Sequence, residues 1–328
     1  MAFSGKRVLL LSPTFFGYDQ EIAMELRLMG AQVDVFDTRP SNDLLTKVAL
    51  RLTPALVTQK ARAYHRKLLE ASSDYDYVLV IRGEGLTPEI VGAYRQRFTA
   101  AKFVYYSYDA ASENPLVLVF EEIFDRCYSF DPTDVKKYSG LIYEPLFYIR
   151  KYSEIKNTDF SDRQFDLSFV GTFRADRYKS IQNIIQFLPK NLKTYYYYFH
   201  PSQKIFQTLK LFSRAYQSID SSLIHFKSVS PQRISKILEQ SKAVIDVQKL
   251  HQTGLTMRTI ETLGASRKLI TTNVNVKNHD FYNPNNIHVF DPLHPNIPQE
   301  FFEQPYQPLA HQLLERYSLE SWLKRVLQ

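Results

Sequence analysis

The chain has 328 residues, 44% hydrophobic and 23% charged, with 10 Gly and 16 Pro; the length suits about two domains, and the composition excludes disordered, collagen-like and low-complexity classes. A single cysteine, Cys127, excludes an internal disulfide and a cysteine zinc quartet, and no run approaches the roughly 18 apolar residues of a membrane span. The net charge of +7 is uneven: residues 1–150 hold 18 Lys/Arg against 19 Asp/Glu and residues 151–328 hold 23 against 15, so an anionic ligand is expected in the second half.

The opening MAFSGKRVLLLSP has only a four-residue apolar run, too short for a signal-peptide core, so a cytoplasmic location is expected. From there, apolar β-rich runs alternate with helical periodicity, the pattern of repeated βα units and a parallel sheet. The first series predicts strands at 6–11, 32–36, 77–81, 102–107 and 126–130, with helices near 19–29 and 88–98 and Gly30 as a helix stop. Residues 145–165 turn polar and read as an inter-domain linker. The second series predicts strands at 165–170, 194–199, 223–226, 243–247, 268–272 and 287–290. Its clearest helix is 231–240, with Ser230 as N-cap and Pro231 in the first helical position. In the closing YSLESWLKRVLQ, Ser318 and Ser321 could each cap a short helix. Two doubly wound α/β domains follow, 1–150 and 151–328, with ligands expected at the carboxyl ends of the strands, in a crevice between the domains.

Residues 241–273, SKAVIDVQKLHQTGLTMRTIETLGASRKLITTN, read as a buried strand, a polar loop, a helix beginning near Thr256 and a second strand. The turn through Gly254, Leu255, Thr256 and Met257 offers backbone N–H groups and a helix N-terminus to phosphate, and Arg258 can be bidentate to a diphosphate. Glu261, one turn on from Met257, can accept the two hydroxyls of a ribose; an ordinary capped helix with Glu261 near its own N-terminus gives the same pattern. His251 is the one histidine placed near this loop, where it is equally a plain loop residue. In FDLSFVGTFRADR, residues 165–177, a strand runs into Gly171 and Thr172 and then a helix bearing Arg174 and Arg177; a tight turn with a solvated basic face is the alternative.

In the first domain, Phe15, Phe16, Gly17 and Tyr18 follow the first strand, and Asp19 can cap the first helix. Glu84, in Arg82-Gly83-Glu84-Gly85, and Asp109, in Tyr108-Asp109-Ala110, sit where strands three and four end. Asp109 is the first candidate for a general base and Glu84 the second, and each is equally a turn or helix cap. Asp74 and Asp76 have a metal-binding spacing but precede their strand, at the wrong end of the sheet; the eight histidines show no ligand spacing, so no metal is expected. No Gly-x-Gly-x-x-Gly, P-loop or Gly-x-Ser-x-Gly motif occurs, which weakens dehydrogenase, ATPase and hydrolase readings.

Two stretches lack acids. Residues 44–69 hold Lys47, Arg51, Lys60, Arg62, Arg66 and Lys67, with Leu44, Leu45, Val48, Leu52 and Leu56 at helical spacing; residues 191–219 hold Lys193, Lys204, Lys210 and Arg214 beside four tyrosines at 195–198. Such surfaces suit an anionic membrane, with nucleic acid the weaker alternative. A solvated helix pair broken at Pro54 and a strand with half its rings in the core explain them equally.

The run 261–271, ETLGASRKLIT, resembles group-1 glycosyltransferases, in which a Glu is followed by small and apolar helix residues, a short turn and a strand. GLTMRTIETLGASRKLITTN and FDLSFVGTFRADR are similar to the CgeB-like capsule or lipopolysaccharide branch, and the loop 15–18 resembles its acceptor-side loop. The resemblance implies the GT-B architecture: two facing Rossmann-like domains, a nucleotide sugar held mainly by the C-terminal one, and a last helix, 318–327, packed back on the first domain through Trp322 and Leu323. It implies ribose binding for Glu261, diphosphate binding for Gly254 to Arg258, and donor-side roles for Gly171, Thr172 and Arg174. Retaining members carry another Glu eight residues earlier; Thr253 stands there, so neither a second acidic sugar contact nor a retaining outcome carries over. The expected activity is metal-independent transfer from a nucleotide sugar, as co-substrate and with no cofactor, to a growing, lipid-linked bacterial surface glycan, peripheral at the inner face of the cytoplasmic membrane. The alternative is a catalytically silent GT-B-like binding protein of a polysaccharide-assembly complex.

Overall fold

The computed structural model describes residues 1–14, 16–43, 46, 55–155, 159–249 and 252–328. They form two compact units, Met1–Leu146 with Leu319–Gln328, and Phe147–Ser318.

The first unit is built on β1 (Arg7–Leu11), β2 (Gln32–Phe36), β3 (Tyr77–Ile81), β4 (Lys102–Ser107), β5 (Arg126–Ser129) and β6 (Leu141–Tyr143), parallel and ordered β2-β1-β3-β4-β5-β6. Leu9, Leu10, Val78 and Leu79 are wholly buried, as expected of strands covered on both faces. The helix Tyr18–Leu28 stops where Gly30 takes φ +98°; a side chain there would press on the backbone of Ser4, 3.1 Å away. β6 escapes a reading by alternation because it is three residues long, with Ile142 exposed. The last helix, Leu319–Leu327, belongs to this unit and starts directly after Ser318, with Ser321 inside it rather than capping it. Trp322 is fully buried edge-on to Tyr106 at 4.8 Å, and Arg325 forks onto Glu144 at 2.6 and 3.0 Å.

The second unit repeats the plan with β7 (Phe165–Thr172), β8 (Thr194–Phe199), β9 (Ile224–His225), β10 (Ser241–Asp246), β11 (Lys268–Thr271) and β12 (Ile287–Val289), all parallel and ordered β12-β11-β10-β7-β8-β9. Leu167, Phe169, Ile181, Tyr198, Ile245 and Ile270 anchor its core. β7 runs past residue 170 because Gly171 and Thr172 pair with Tyr198 and Phe199. Of the four tyrosines in β8, Tyr197 and Tyr198 are buried and Tyr195 and Tyr196 half-buried. Inside the stretch 145–165, read from sequence as a linker, Phe147, Tyr148, Ile149 and Tyr152 are buried, and Tyr148 pairs with the backbone of Tyr317. Gly264 makes room for it: a Cβ there would stand 2.4 Å from the Tyr148 ring.

Ser230 caps the helix Pro231–Glu239 as expected. That helix and Met257–Gly264 share one C-terminal stopper: Arg267, 1% exposed, donates to the carbonyls of Leu238 (2.8 Å), Glu239 (3.3 Å), Ala265 (2.8 Å) and Ser266 (3.2 Å). A cation on orphan helix-end carbonyls satisfies their hydrogen bonding and complements both dipoles.

Candidate functional site

In an open parallel sheet the ligand crevice lies outside the carboxyl ends of the strands, where strand order reverses. The second unit reverses between β7 and β10, so the described segments bordering its crevice are 173–174, entering the helix Ala175–Phe187, and 247–249 with 252–256, entering the helix Met257–Gly264. The donor-side residues expected from sequence all fall on these segments, the end of β7 or the second helix. Thr256 is the N-cap: its hydroxyl accepts from the Thr259 N–H (3.2 Å) and donates to Asp246 Oδ2 at the end of β10 (2.5 Å). Asn273 Nδ2 donates to the carbonyls of Thr253 (3.3 Å) and Gly254 (3.2 Å), and Leu255 is buried, so the loop is held from both sides. The positive end of the helix therefore opens at the reversal in a fixed direction.

Three arginines converge there. Arg258 donates through Nη2 to the carbonyl of Val170 on β7 (3.1 Å), and its Nη1 lies 2.6 Å from Glu261 Oε2. Arg177 spans the two strand ends, donating from Nε to the carbonyl of Val247 (2.8 Å) and from Nη1 to that of Thr172 (3.2 Å). Burial draws its guanidinium pKa below the ordinary value, against the pull of the nearby Asp246 charge. Arg174 is the N-cap residue of the helix Ala175–Phe187, not part of the helix; it pairs with Asp176 and reaches the Gln248 carbonyl (3.4 Å). Glu261 is 3% exposed, with Oε1 accepting from the Tyr152 hydroxyl at 3.0 Å. Tyr152 comes from the polar stretch and was not legible as a site residue. Thr172 is exposed at the rim, whereas Gly171 makes room for its neighbours: a Cβ there would meet the Phe169 ring at 2.8 Å and Arg177 Nη1 at 3.4 Å.

The first unit reverses between β1 and β3. Arg82, directly after β3, has φ +61°, a left-handed conformation costly for a residue with a Cβ. Its carbonyl is held by the Tyr105 hydroxyl (2.7 Å) and Asn114 Nδ2 (3.2 Å). Gly83 follows at φ +69°, where a Cβ would press on the rings of Tyr105 and Phe120 at 3.0 and 3.1 Å. Arg82 gathers both candidate bases, with Nε 3.0 Å from Asp109 Oδ2 and Nη1 4.0 Å from Glu84 Oε2. Arg39, unremarked in the sequence, lies 3.7 Å from the same Glu84 oxygen and forks onto Asp37 at 3.1 and 3.2 Å. Burial raises the pKa of Asp37, but Arg39, two backbone N–H groups and Asn42 overcome it and hold the carboxyl below its usual range. Asp19 does not cap the first helix; Gly17 is the N-cap, and Asp19 sits in the first turn, 5% exposed. Its Oδ2 accepts from Gln20 (2.9 Å), and Oδ1 has no hydrogen-bond partner among the described residues.

Phe15, Leu44, Leu45, residues 47–54, residues 156–158, Leu250 and His251 lie outside the described residues, and with them ten of the 26 residues of the first acid-free stretch, as does the Leu56 side chain. Its described part, the helix Ala55–Ala71, exposes Lys60, Arg62, Arg66 and Lys67 and turns Val57, Ala61 and His65 inward. His65 lies between the Tyr94 hydroxyl and the Thr38 carbonyl, both at 3.0 Å, and burial lowers its pKa. Asp74 and Asp76 are engaged by separate cations, Arg97 (2.6 Å) and Lys6 (2.8 Å). Among the described residues no group of three His, Cys, Asp or Glu could hold a metal, and no helix is long and apolar enough to cross a membrane.

Two parallel six-stranded sheets, each reversing beside its first strand, define the double Rossmann-like, GT-B architecture of many glycosyltransferases. Among solved structures the chain is similar to HepE of Anabaena in complex with UDP-glucose, at 10% identity and TM-score 0.58, with 98% of each chain covered. It is also similar to a glycosyltransferase of Rickettsia africae (12% identity, TM-score 0.55, 98% and 96% covered). Sucrose-phosphate synthase of Thermosynechococcus elongatus gives 12% identity, a TM-score of 0.53 and 98% and 95% coverage. No family model and no curated protein sequence matches the chain. At these identities the likeness carries the fold alone.

Proposed function

We propose that the protein is a glycosyltransferase that binds a nucleotide-sugar donor at the β7–β10 reversal of its second unit. The observation that carries this reading is the set of three arginines fixed on strand-end carbonyls beside a capped helix N-terminus, a preorganised cradle for a diphosphate. Its cations serve the leaving diphosphate without a metal. Glu261, which accepts from the Tyr152 hydroxyl and is ion-paired with Arg258, supplies the carboxylate that accepts the ribose hydroxyls in this reading. Solved neighbours of this fold hold UDP or UDP-glucose. Asp109, with Glu84 as alternative, takes the acceptor's proton. The acceptor in this reading is a lipid-linked bacterial surface glycan, of capsule or lipopolysaccharide type, and the protein works at an anionic membrane surface. The pairing of both candidate bases with Arg82 supports a second reading, a catalytically silent nucleotide-sugar-binding protein. Thermal shift against nucleoside diphosphates and their sugars tests the proposal: a ligand at about 100 times its Kd adds roughly 2.7 kcal/mol. No shift with any of them overturns both readings, and a shift without donor turnover selects the silent one.

A further inference from the structure

Residues 177–219 contain seven Lys and Arg and not one Asp or Glu. In the second unit they form most of the helix Ala175–Phe187, then β8 and the helices Gln203–Phe212 and Arg214–Gln217. Right-handed crossovers from β7 to β8 to β9 place the first two helices on one face of the sheet, each running from its carboxyl edge to its amino edge. Both therefore end at the amino edge, and there large apolar side chains face outward: Phe187 is 61% exposed, Leu211 73% and Phe212 84%. Ile205, 43% exposed, lies two turns before Phe212 on the same side of its helix.

Exposed cations accompany them. Lys190 and Lys193 follow the first helix end and Arg214 follows the second, while Lys204, on the helix face of Leu211, stands two turns away toward the carboxyl edge. Lys210 is tied to the Ile219 carbonyl and the Ser221 hydroxyl and serves packing. Of the bordering acids, Asp166 is paired with Lys242 and Asp220 caps the turn at Ser222. Apolar tips ringed by cations complement an anionic bilayer, with rings at the acyl boundary and ammonium groups among phosphates. A second copy packed face to face would set these cations against each other.

We propose that this amino edge of the second unit docks on an anionic membrane. The inference rests on the membrane-associated part of the reading above and assigns its surface. Docking there holds the β7–β10 reversal above the lipid by the length of the eight-residue β7, about 25 Å at roughly 3.3 Å per residue, a distance suited to an acceptor whose growing end stands off the bilayer.

Co-sedimentation with phosphatidylglycerol-rich and pure phosphatidylcholine vesicles tests it on the full chain. Binding to the anionic vesicles only, and release by salt, is expected. Leu211→Asp with Phe212→Asp should weaken binding at least about tenfold, as should Lys190→Ser with Lys193→Ser and Arg214→Ser, each cation contributing on the order of fivefold. Stabilisation by UDP should persist in both variants; if it is missing in the wild type as well, the nucleotide reading fails while the docking result stands. The proposal is overturned if the wild type ignores anionic vesicles, or if both variants bind like the wild type. It is also overturned if only neutralising Lys60, Arg62, Arg66 and Lys67 abolishes binding, or if the variants split a dimer while vesicle binding is unchanged.

Discussion

Glu261→Gln isolates charge from shape at the donor-side cradle. The glutamine can still meet the Tyr152 hydroxyl and present its carbonyl oxygen to Arg258, so both contacts survive sterically while the counter-charge disappears. The Arg258 side chain is 15% exposed and the Glu261 side chain 4%, so the pair is largely desolvated and the remaining cation is only partly relieved by solvent. Removing one partner of a fully buried pair costs about 3–5 kcal/mol, and about 2–3 is expected here after allowing for that exposure. For a unit of this size the melting temperature should fall by roughly 2–4 °C per kcal/mol, or about 4–12 °C. In the proposed site the same change withdraws the acceptor charge for ribose hydroxyls, and Arg258→Ala withdraws a diphosphate donor. Charge-assisted hydrogen bonds contribute about 1.5–3 kcal/mol, so each variant should weaken UDP binding at least about tenfold in isothermal titration. Unchanged UDP affinity in both variants would refute the assignment of the site.

Asp109→Asn should leave UDP affinity intact and lower donor turnover by about 10² if Asp109 is the base, and equal turnover removes it from that role. Arg267→Ala leaves the carbonyls of two helix ends in the core without their donor, so a loss on the order of 3 kcal/mol or more and a melting temperature lower by about 6 °C or more are expected in calorimetry. An unchanged melting temperature would show that water replaces the guanidinium. Burial pushes the hydroxyls of Tyr75, Tyr148, Tyr196 and Tyr306 up to about 12 in the folded chain. The unfolded chain gives up those protons first, near 10, so this stability is complete below about pH 10 and is lost as pH climbs toward 12. Melting temperature and tyrosinate absorbance should change together, and tyrosinate forming without any fall in melting temperature contradicts the burial argument.

Strands were legible wherever an apolar run was long enough to be covered on both faces, and the misses have physical causes. β6 is too short to alternate, and β7 is extended by pairing with β8, a non-local event that Gly171 and Thr172 do not announce. Residues 147–152 read as polar because Arg150 and Lys151 dominate the local average, yet four apolar side chains among them decide the packing. At the site, local chemistry was readable and distant pairing was not. A glycine-containing loop, a threonine cap and an arginine in the first turn all sit within residues 254–258, so one helix N-terminus reveals them. The Tyr152–Glu261 bond joins residues 109 apart, and the Arg39–Glu84 and Arg82–Asp109 pairs depend on which strands are neighbours. Sheet order β2-β1-β3-β4 brings those side chains together, and order is a property of the tertiary fold.

The two reversals are alike in topology and differ in charge balance: in the second unit three arginines meet the three carboxylates Asp176, Asp246 and Glu261, whereas in the first carboxylates prevail. In the second unit the carbonyls of Val170, Thr172, Val247 and Gln248 each accept from a guanidinium, so strand ends aim the cations before any ligand arrives. A guanidinium held on a backbone carbonyl is fixed in direction before an anion meets it, which lowers the reorganisation that binding requires. In the first unit Asp19, Asp37, Glu84 and Asp109 outnumber Arg39 and Arg82, and a left-handed residue at the strand end fixes the arginine that two of the carboxylates share. An excess of carboxylates suits the handling of protons and hydroxyls and repels phosphate. The same βα geometry thus presents different charge at the two reversals, and under the proposed function that difference assigns the diphosphate to β7 and β10 of the second unit and the acceptor's proton to the carboxylates of the first.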